Sequence, residues 1–227
     1  MRSPKITSTY FTAICVGLLL LFACESKEKE AGEKVEDISV DEEELARNRA
    51  QIDLALSQKS SWHSHWSNEL GMFDSSQFEL VMTDSIDPME MPERNPILKD
   101  DPLYPYQMPH PSGNGTMDIY SYKIEAQDAI DEPFLNPDSE VVWYREDGMK
   151  ERLLFMGPSG MFEEGQWLND QEVLVFGFFQ EEAGYRPMAW LINIETHLLK
   201  QFRLPNVSQT YEPQSYINSK IKQVDLS

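Results

Sequence analysis

The chain has 227 residues, with 39 acidic side chains against 19 Lys and Arg, and a formal net charge of −20 at pH 7. Such an acidic surface repels nucleic-acid phosphates and anionic headgroups, which argues against nucleic-acid binding. The aromatic content of 11% suits a packed core and is not typical of a disordered protein.

The N-terminus carries Arg2 and Lys5 and then an apolar run from Tyr10 to Ala23. This run is shorter than the roughly 20 residues that cross a bilayer as a helix. A short basic segment, a short apolar segment and a small residue are typical of a secretory signal peptide. We therefore expect residues 1–23 to be a signal peptide.

The end of that run, with Leu21, Ala23 and Cys24, resembles the lipobox of bacterial lipoproteins. The resemblance implies cleavage before Cys24 and acylation of its thiol and of the new amino terminus. Each buried methylene would contribute about 0.8 kcal/mol, so two or three acyl chains anchor a protein stably. It thus implies attachment to a membrane of the cell envelope, expected to be the outer membrane, on either the periplasmic or the outer face. The alternative is an ordinary signal in which Cys24 is incidental.

Residues 24–44 are predicted to be a disordered acidic tether behind the lipidated cysteine, because residues 25–44 hold ten acidic and three basic side chains. The Lys and Glu residues directly after Cys24 also resemble the export signal of surface lipoproteins in some Gram-negative bacteria. Beyond the tether we expect one β-rich domain over 45–205 and a polar tail over 206–227.

The domain is predicted to begin with a helix over about 41–58, since Ser39 and Glu42 have capping-box spacing. The next segment, Trp62 to Trp66, is predicted to be extended, with His63 and His65 on one side and the two Trp rings on the other. Two His residues alone do not make a zinc site. We therefore predict no metal, and Trp packing beneath exposed His.

Residues 78–82 are predicted to form a strand, followed by an irregular loop over 86–115 that holds seven of the 14 prolines. The loop carries Tyr104, Tyr106 and His110. These side chains either form a binding surface or fold back over an open sheet edge.

A strand is predicted over 116–124, and a repeat follows, in which residues 134–144 are echoed by 167–176. Further strands are predicted over 153–156, 188–194 and 198–204. Residues 134–204 resemble blades of propeller proteins, but a propeller needs four to eight blades and this chain has room for two or three. The predicted fold is all-β, an antiparallel sandwich or curved meander with one N-terminal helix.

Function is less well defined by the sequence, because no nucleophile elbow, phosphate loop or zinc-protease motif occurs. Carboxylates such as Glu163 and Glu164 are predicted to lie near turns in solvent. The leading hypothesis is a non-catalytic module, without a cofactor, that binds another envelope protein through an open sheet edge or the proline-rich loop. The alternatives are a glycan- or peptide-binding lipoprotein that stacks ligands on Trp62, Trp66, Tyr104 and Tyr106, and an envelope hydrolase with a carboxylate pair.

Overall fold

The computed structural model describes residues 41–127 and 132–222, without the side chains of 125–133. The predicted signal peptide, Cys24 and most of the tether lie outside the described residues. The described helices are α1 (Glu42–Gln58), α2 (Ser60–Leu70) and α3 (Ser215–Lys220). The strands are β1 (Glu79–Ser85), β2 (Met89–Pro92), β3 (Met108–Pro109), β4 (Gly115–Asp118), β5 (Ile124–Gln127), β6 (Glu132–Leu135), β7 (Ser139–Arg145), β8 (Met149–Met156), β9 (Gly160–Trp167), β10 (Glu172–Glu181), β11 (Gly184–Asn193) and β12 (Leu198–Arg203).

The described strands form two five-stranded antiparallel sheets, which confirms the predicted all-β class. The first sheet has the order β1-β12-β11-β10-β9, and β9 to β12 follow one another as a meander. The second has the order β2-β8-β7-β4-β3, while β5 and β6 pair as a separate hairpin. Buried apolar residues from both sheets and from the helices belong to one core cluster.

The predicted first helix is confirmed as α1. The predicted capping box of Ser39 and Glu42 is wrong, because the N-cap is Asp41, whose side chain accepts a hydrogen bond from the Glu43 N–H. Acidic residues in the first turn also interact favourably with the helix dipole. Ile52, Ala55 and Leu56 are buried on one face, at the spacing of a helix that packs on a core.

The prediction of an extended segment from Trp62 to Trp66 is wrong, because these residues lie in α2. A spacing of four residues places both Trp rings on the same helix face. That face lies against the first sheet, where Trp62 stacks on Phe176 of β10 with ring centroids 4.5 Å apart.

The proline-rich segment is not wholly irregular, because it contributes β2 and β3, the two edge strands of the second sheet. Each of these strands ends in a proline, Pro92 or Pro109. Proline is tolerated there because an edge strand need not donate a hydrogen bond on both sides. The predicted strand over 116–124 is also shorter than expected, since β4 ends at Asp118 and a turn follows.

The internal repeat marks inner strands of two different sheets and not two blades in one ring. Its first copy leads into β7, which lies between β8 and β4, and its second copy leads into β10, which lies between β11 and β9. A hairpin at Gly148, whose φ is 88°, joins β7 to β8.

The C-terminal segment, predicted to be a polar tail, contributes to the core over residues 206–222. Ser208 forms an isolated bridge with Tyr185 of β11. Beyond it, Tyr211, Tyr216, Ile217 and Ile221 are all buried. These apolar side chains, spaced among polar ones, hold the segment against the domain.

Candidate functional site

The aromatic residues predicted to bind a ligand do not form one surface. Trp62 and Trp66 are fully buried, and His110 is only 5% exposed. Tyr104 is 41% exposed, whereas Tyr106 is partly buried and its hydroxyl accepts the backbone N–H of Lys222 at 3.0 Å. The Trp rings are enclosed, so they cannot stack on a glycan in this conformation.

The His residues are engaged within the fold. His110 bonds through Nε2 to the Asp170 carbonyl at 2.7 Å and lies edge-on to Trp167. His63 bonds to the Phe73 carbonyl at 2.7 Å, and His65 to the Ser215 hydroxyl at 3.0 Å. Within residues 41–127 and 132–222, no group of three or more His, Cys, Asp or Glu is placed to hold a metal ion.

The most unusual polar cluster lies on β9, where Glu163 and Glu164 are buried side by side at 0% and 2% exposure. The prediction that they lie near turns in solvent is therefore wrong. Successive side chains of a regular strand point to opposite faces, but here the register shifts, with Glu164 opposite Phe176 and Phe162 opposite Gly177. Glu163 is the extra residue of this β-bulge, and a bulge re-aims side chains.

The bulge depends on the glycine across from it. A Cβ atom on Gly177 would lie 2.0 Å from the Met161 carbonyl oxygen, which no side-chain-bearing residue could accommodate without a backbone shift. The free carbonyl of Glu163 accepts a hydrogen bond from the Tyr120 hydroxyl at 2.7 Å. The bulge is thus accommodated by the missing side chain of Gly177 and by the hydrogen bond to the Glu163 carbonyl.

Neutral donors surround the Glu163 carboxyl. The indole N–H groups of Trp62 and Trp66 donate to Oε2 at 2.8 and 2.9 Å, and the Tyr211 hydroxyl donates to Oε1. Burial raises the pKa of Glu163 to about 7, although these three hydrogen bonds act in the opposite direction. A carboxyl in such a site holds a proton into the neutral range.

Cationic partners surround the Glu164 carboxyl. Lys59 Nζ lies 3.0 Å from Oε1, the Tyr216 hydroxyl donates to Oε2 at 2.8 Å, and Lys220 also contacts Oε2. Burial would raise the pKa of Glu164, but the two ammonium groups and the hydrogen bonds from Lys220 and Tyr216 hold it below its usual value. Glu164 therefore remains ionised.

These contacts make the pair a junction between α2, β9 and the C-terminal segment. Tyr211 and Tyr216, whose own pKa values are raised by burial and by the neighbouring carboxylates, close it from the C-terminal side. Every oxygen of both carboxyls contacts a protein donor. The enclosed pair can hold a proton and join these segments of the chain.

Two strands at opposite edges of the first sheet differ in how their free edge is covered. Along β9, Tyr120 reaches the Glu163 carbonyl and the Ser139 hydroxyl accepts the Phe162 N–H at 3.2 Å. Along β1, five of seven residues are exposed, and no other described strand pairs with its outer edge.

On the face of the first sheet, next to β1, lies a notch of about 200 Å³ that is lined by three apolar and three polar residues: Val81, Phe179, Met188, Glu181, Gln201 and Arg203. Val81 and Phe179, each 37% exposed, contribute to it, and Arg203 at its rim pairs with Glu79 at 3.2 Å. Val81 lies at the irregularity between Leu80 and Met82 in the pairing of β1 with β12. We call Glu79–Ser85, together with Phe179 of β10, which lines the notch but is separated from β1 by β12 and β11, the β1 edge surface.

None of the helices in the described part of the chain is long and apolar enough to cross a membrane. Comparison of the chain with protein-family models, with curated proteins and with solved structures finds no match.

Proposed function

We propose that this chain is a lipid-anchored protein of the cell envelope that binds another envelope protein through the β1 edge surface. The anchor is proposed from the sequence alone, on the apolar run that ends in Leu21, Ala23 and Cys24. The observation that carries the binding role is the exposed, unpaired outer edge of β1 among the described strands.

An edge strand presents a row of backbone N–H and C=O groups that can pair with an extended segment of another chain. Proteins that avoid such pairing place charges along the edge; β1 carries Glu79 and Asp84 near its ends, but its middle carries Leu80, Val81 and Met82. The partner proposed is therefore an extended segment that adds a strand to β1 and places an apolar side chain in the notch beside Val81.

The anchor is tested by labelling cells with a palmitate analogue and comparing the wild-type chain with Cys24→Ala. We expect the wild type to carry label and to fractionate with the outer membrane, and the variant to do neither. Protease treatment of intact cells then distinguishes the two faces, since a surface domain is degraded and a periplasmic one survives until the outer membrane is opened. Equal labelling of both proteins would rule out an anchor on Cys24.

The binding role is tested in cells with a photo-crosslinking amino acid placed at Val81 and, as a control, at Leu54. Leu54 is 46% exposed on α1, so both positions report an exposed apolar site. We expect a discrete cross-linked product from Val81 and none from Leu54, and we expect Phe179→Lys to abolish it. A product that persists in Phe179→Lys, or the same product from both positions, would contradict the proposal.

A further inference from the structure

A cleft away from the β1 edge surface contains a buried lysine. Lys123, only 7% exposed, lies in the turn between β4 and β5, and it lines a cleft of about 180 Å³ together with residues of β6, β9, β10 and β11. Much of the remaining lining is apolar, with Leu135, Met161, Phe178 and Tyr185.

The ammonium group of Lys123 has only neutral hydrogen-bond partners among the described residues. Its Nζ donates to the carbonyls of Asn136 and Pro137 at 2.5 and 3.2 Å, and both of these residues also line the cleft. Asp138 acts on the ammonium through space, but no carboxylate of the described side chains forms an ion pair with it.

A buried charge is normally paired, because removing an ion from water costs several kcal/mol. An ammonium has three N–H groups, and among the described residues the two carbonyls are the acceptors of its hydrogen bonds. Burial lowers the pKa of Lys123, although Asp138 acts in the opposite direction. An anion in the cleft would accept the third N–H in a charge-assisted hydrogen bond.

We propose that this cleft binds a small monocarboxylate with an apolar body, whose carboxylate contacts Lys123 and whose body lies against Met161, Phe178 and Tyr185. A volume of about 180 Å³ corresponds to about six water molecules at about 30 Å³ each. That size fits a short acyl chain or a single aromatic ring. The proposal is independent of the β1 edge surface and of the lipid anchor.

The test uses the full-length chain in a non-ionic detergent, with its Met methyl groups labelled with ¹³C and the Met161 signal assigned through Met161→Leu. The probes are phenylacetate and hexanoate, and their neutral analogues are phenylacetamide and hexanamide. We expect each carboxylate to shift the Met161 signal saturably and to bind at least about tenfold more tightly than its amide.

Two lysine variants distinguish carboxylate binding in the cleft from an effect of the protein's overall charge. Lys123→Met should weaken carboxylate binding at least about tenfold, whereas Lys99→Met, at an exposed lysine, should leave it unchanged. If Lys123→Met does not fold, the test is the ratio between the dissociation constants of the amide and of the carboxylate for the wild-type chain. No saturable shift at Met161, equal binding of acid and amide, or equal binding by a folded Lys123→Met would each overturn the proposal.

Discussion

Glu163 and Glu164 are neighbours on β9, and both are buried, yet the fold surrounds them with different partners. Glu163 receives hydrogen bonds from two indoles and a phenol, which are neutral, and its pKa rises to about 7. Glu164 lies between two ammonium groups, and its pKa is held below the usual value. Burial alone therefore does not decide whether a carboxyl is protonated, because the charge of the groups around it also shifts its pKa.

The difference between the two carboxyls also sets opposite pH dependences for the free energy of unfolding. The folded state binds a proton on Glu163 more tightly than the unfolded state, so this stabilisation is complete below about pH 4.5 and is lost as the pH rises to about 7. Glu164 stabilises the fold above its unfolded pKa of about 4.5, and that contribution is lost as the pH falls through its lowered folded pKa.

The largest effect is expected from removing the bulge that brings the two carboxyls together. In Gly177→Ala the new methyl group would lie 2.0 Å from the Met161 carbonyl, so β9 or β10 must shift. We expect a loss of at least about 3 kcal/mol in the free energy of unfolding, or failure to fold. Denaturant unfolding measures it, with Gly157→Ala as the control because a Cβ there meets nothing within 4 Å. Equal stability of the two variants would contradict a required glycine.

The next largest effect is expected from Glu163→Gln, and it depends on pH. Glutamine resembles the protonated carboxyl, with one oxygen for the indoles and an N–H₂ group towards Tyr211. The wild type loses stability as the pH rises from about 4.5 to about 7, and the variant has no proton to lose. Relative to the wild type, the variant should gain about 3 kcal/mol between pH 4 and pH 8.

Denaturant unfolding of both proteins across that pH range measures the difference. Changes at other groups affect both proteins alike and cancel in the comparison. A difference that does not vary with pH would mean that folding does not shift the pKa of Glu163, and would contradict a proton held more tightly by the folded protein.

Much of the sheet structure could be predicted from the sequence, because its signals are local. The apolar runs that became β10 and β11 and the turn at Gly148 can each be recognised within ten residues. The segment from Trp62 to Trp66 was ambiguous for a physical reason. A spacing of four places both rings on one side of a helix and on one side of a strand alike.

The carboxyl pair could not be predicted, because what buries it is distant in the chain. The indole donors to Glu163 lie 101 and 97 residues before it, and Tyr211 lies 48 residues after it. Two adjacent glutamates between Gly160 and Gly165 indicate a solvated turn unless those donors are known. The spaced tyrosines of the C-terminal segment are the one local signal, since large aromatics in a polar stretch often pack on the core.

A smaller effect is expected from Glu164→Gln, with the opposite pH dependence from Glu163→Gln. The variant leaves the ammonium groups of Lys59 and Lys220 without their carboxylate, but both side chains are partly exposed, at 21% and 26%, and can turn to water. We expect a loss of about 2 kcal/mol at pH 7 that shrinks as the pH is lowered through the depressed pKa. A loss that grows on acidification would contradict the ionised state of Glu164.

The smallest effect is expected from Lys220→Met, which removes one cation from α3. Since Lys220 is 26% exposed, solvent screens the pair, and about 1 kcal/mol is expected. Lys222→Met, at an exposed side chain, is the matched control.

With one ammonium left, the pKa of Glu164 should rise, so the loss of unfolding free energy on acidification should begin at a higher pH. The transition near pH 7 that belongs to Glu163 should stay in place, because neutral groups hold that carboxyl. If both transitions moved together, the two carboxyls would titrate as one coupled unit, and the contrast between neutral and cationic partners would not describe them.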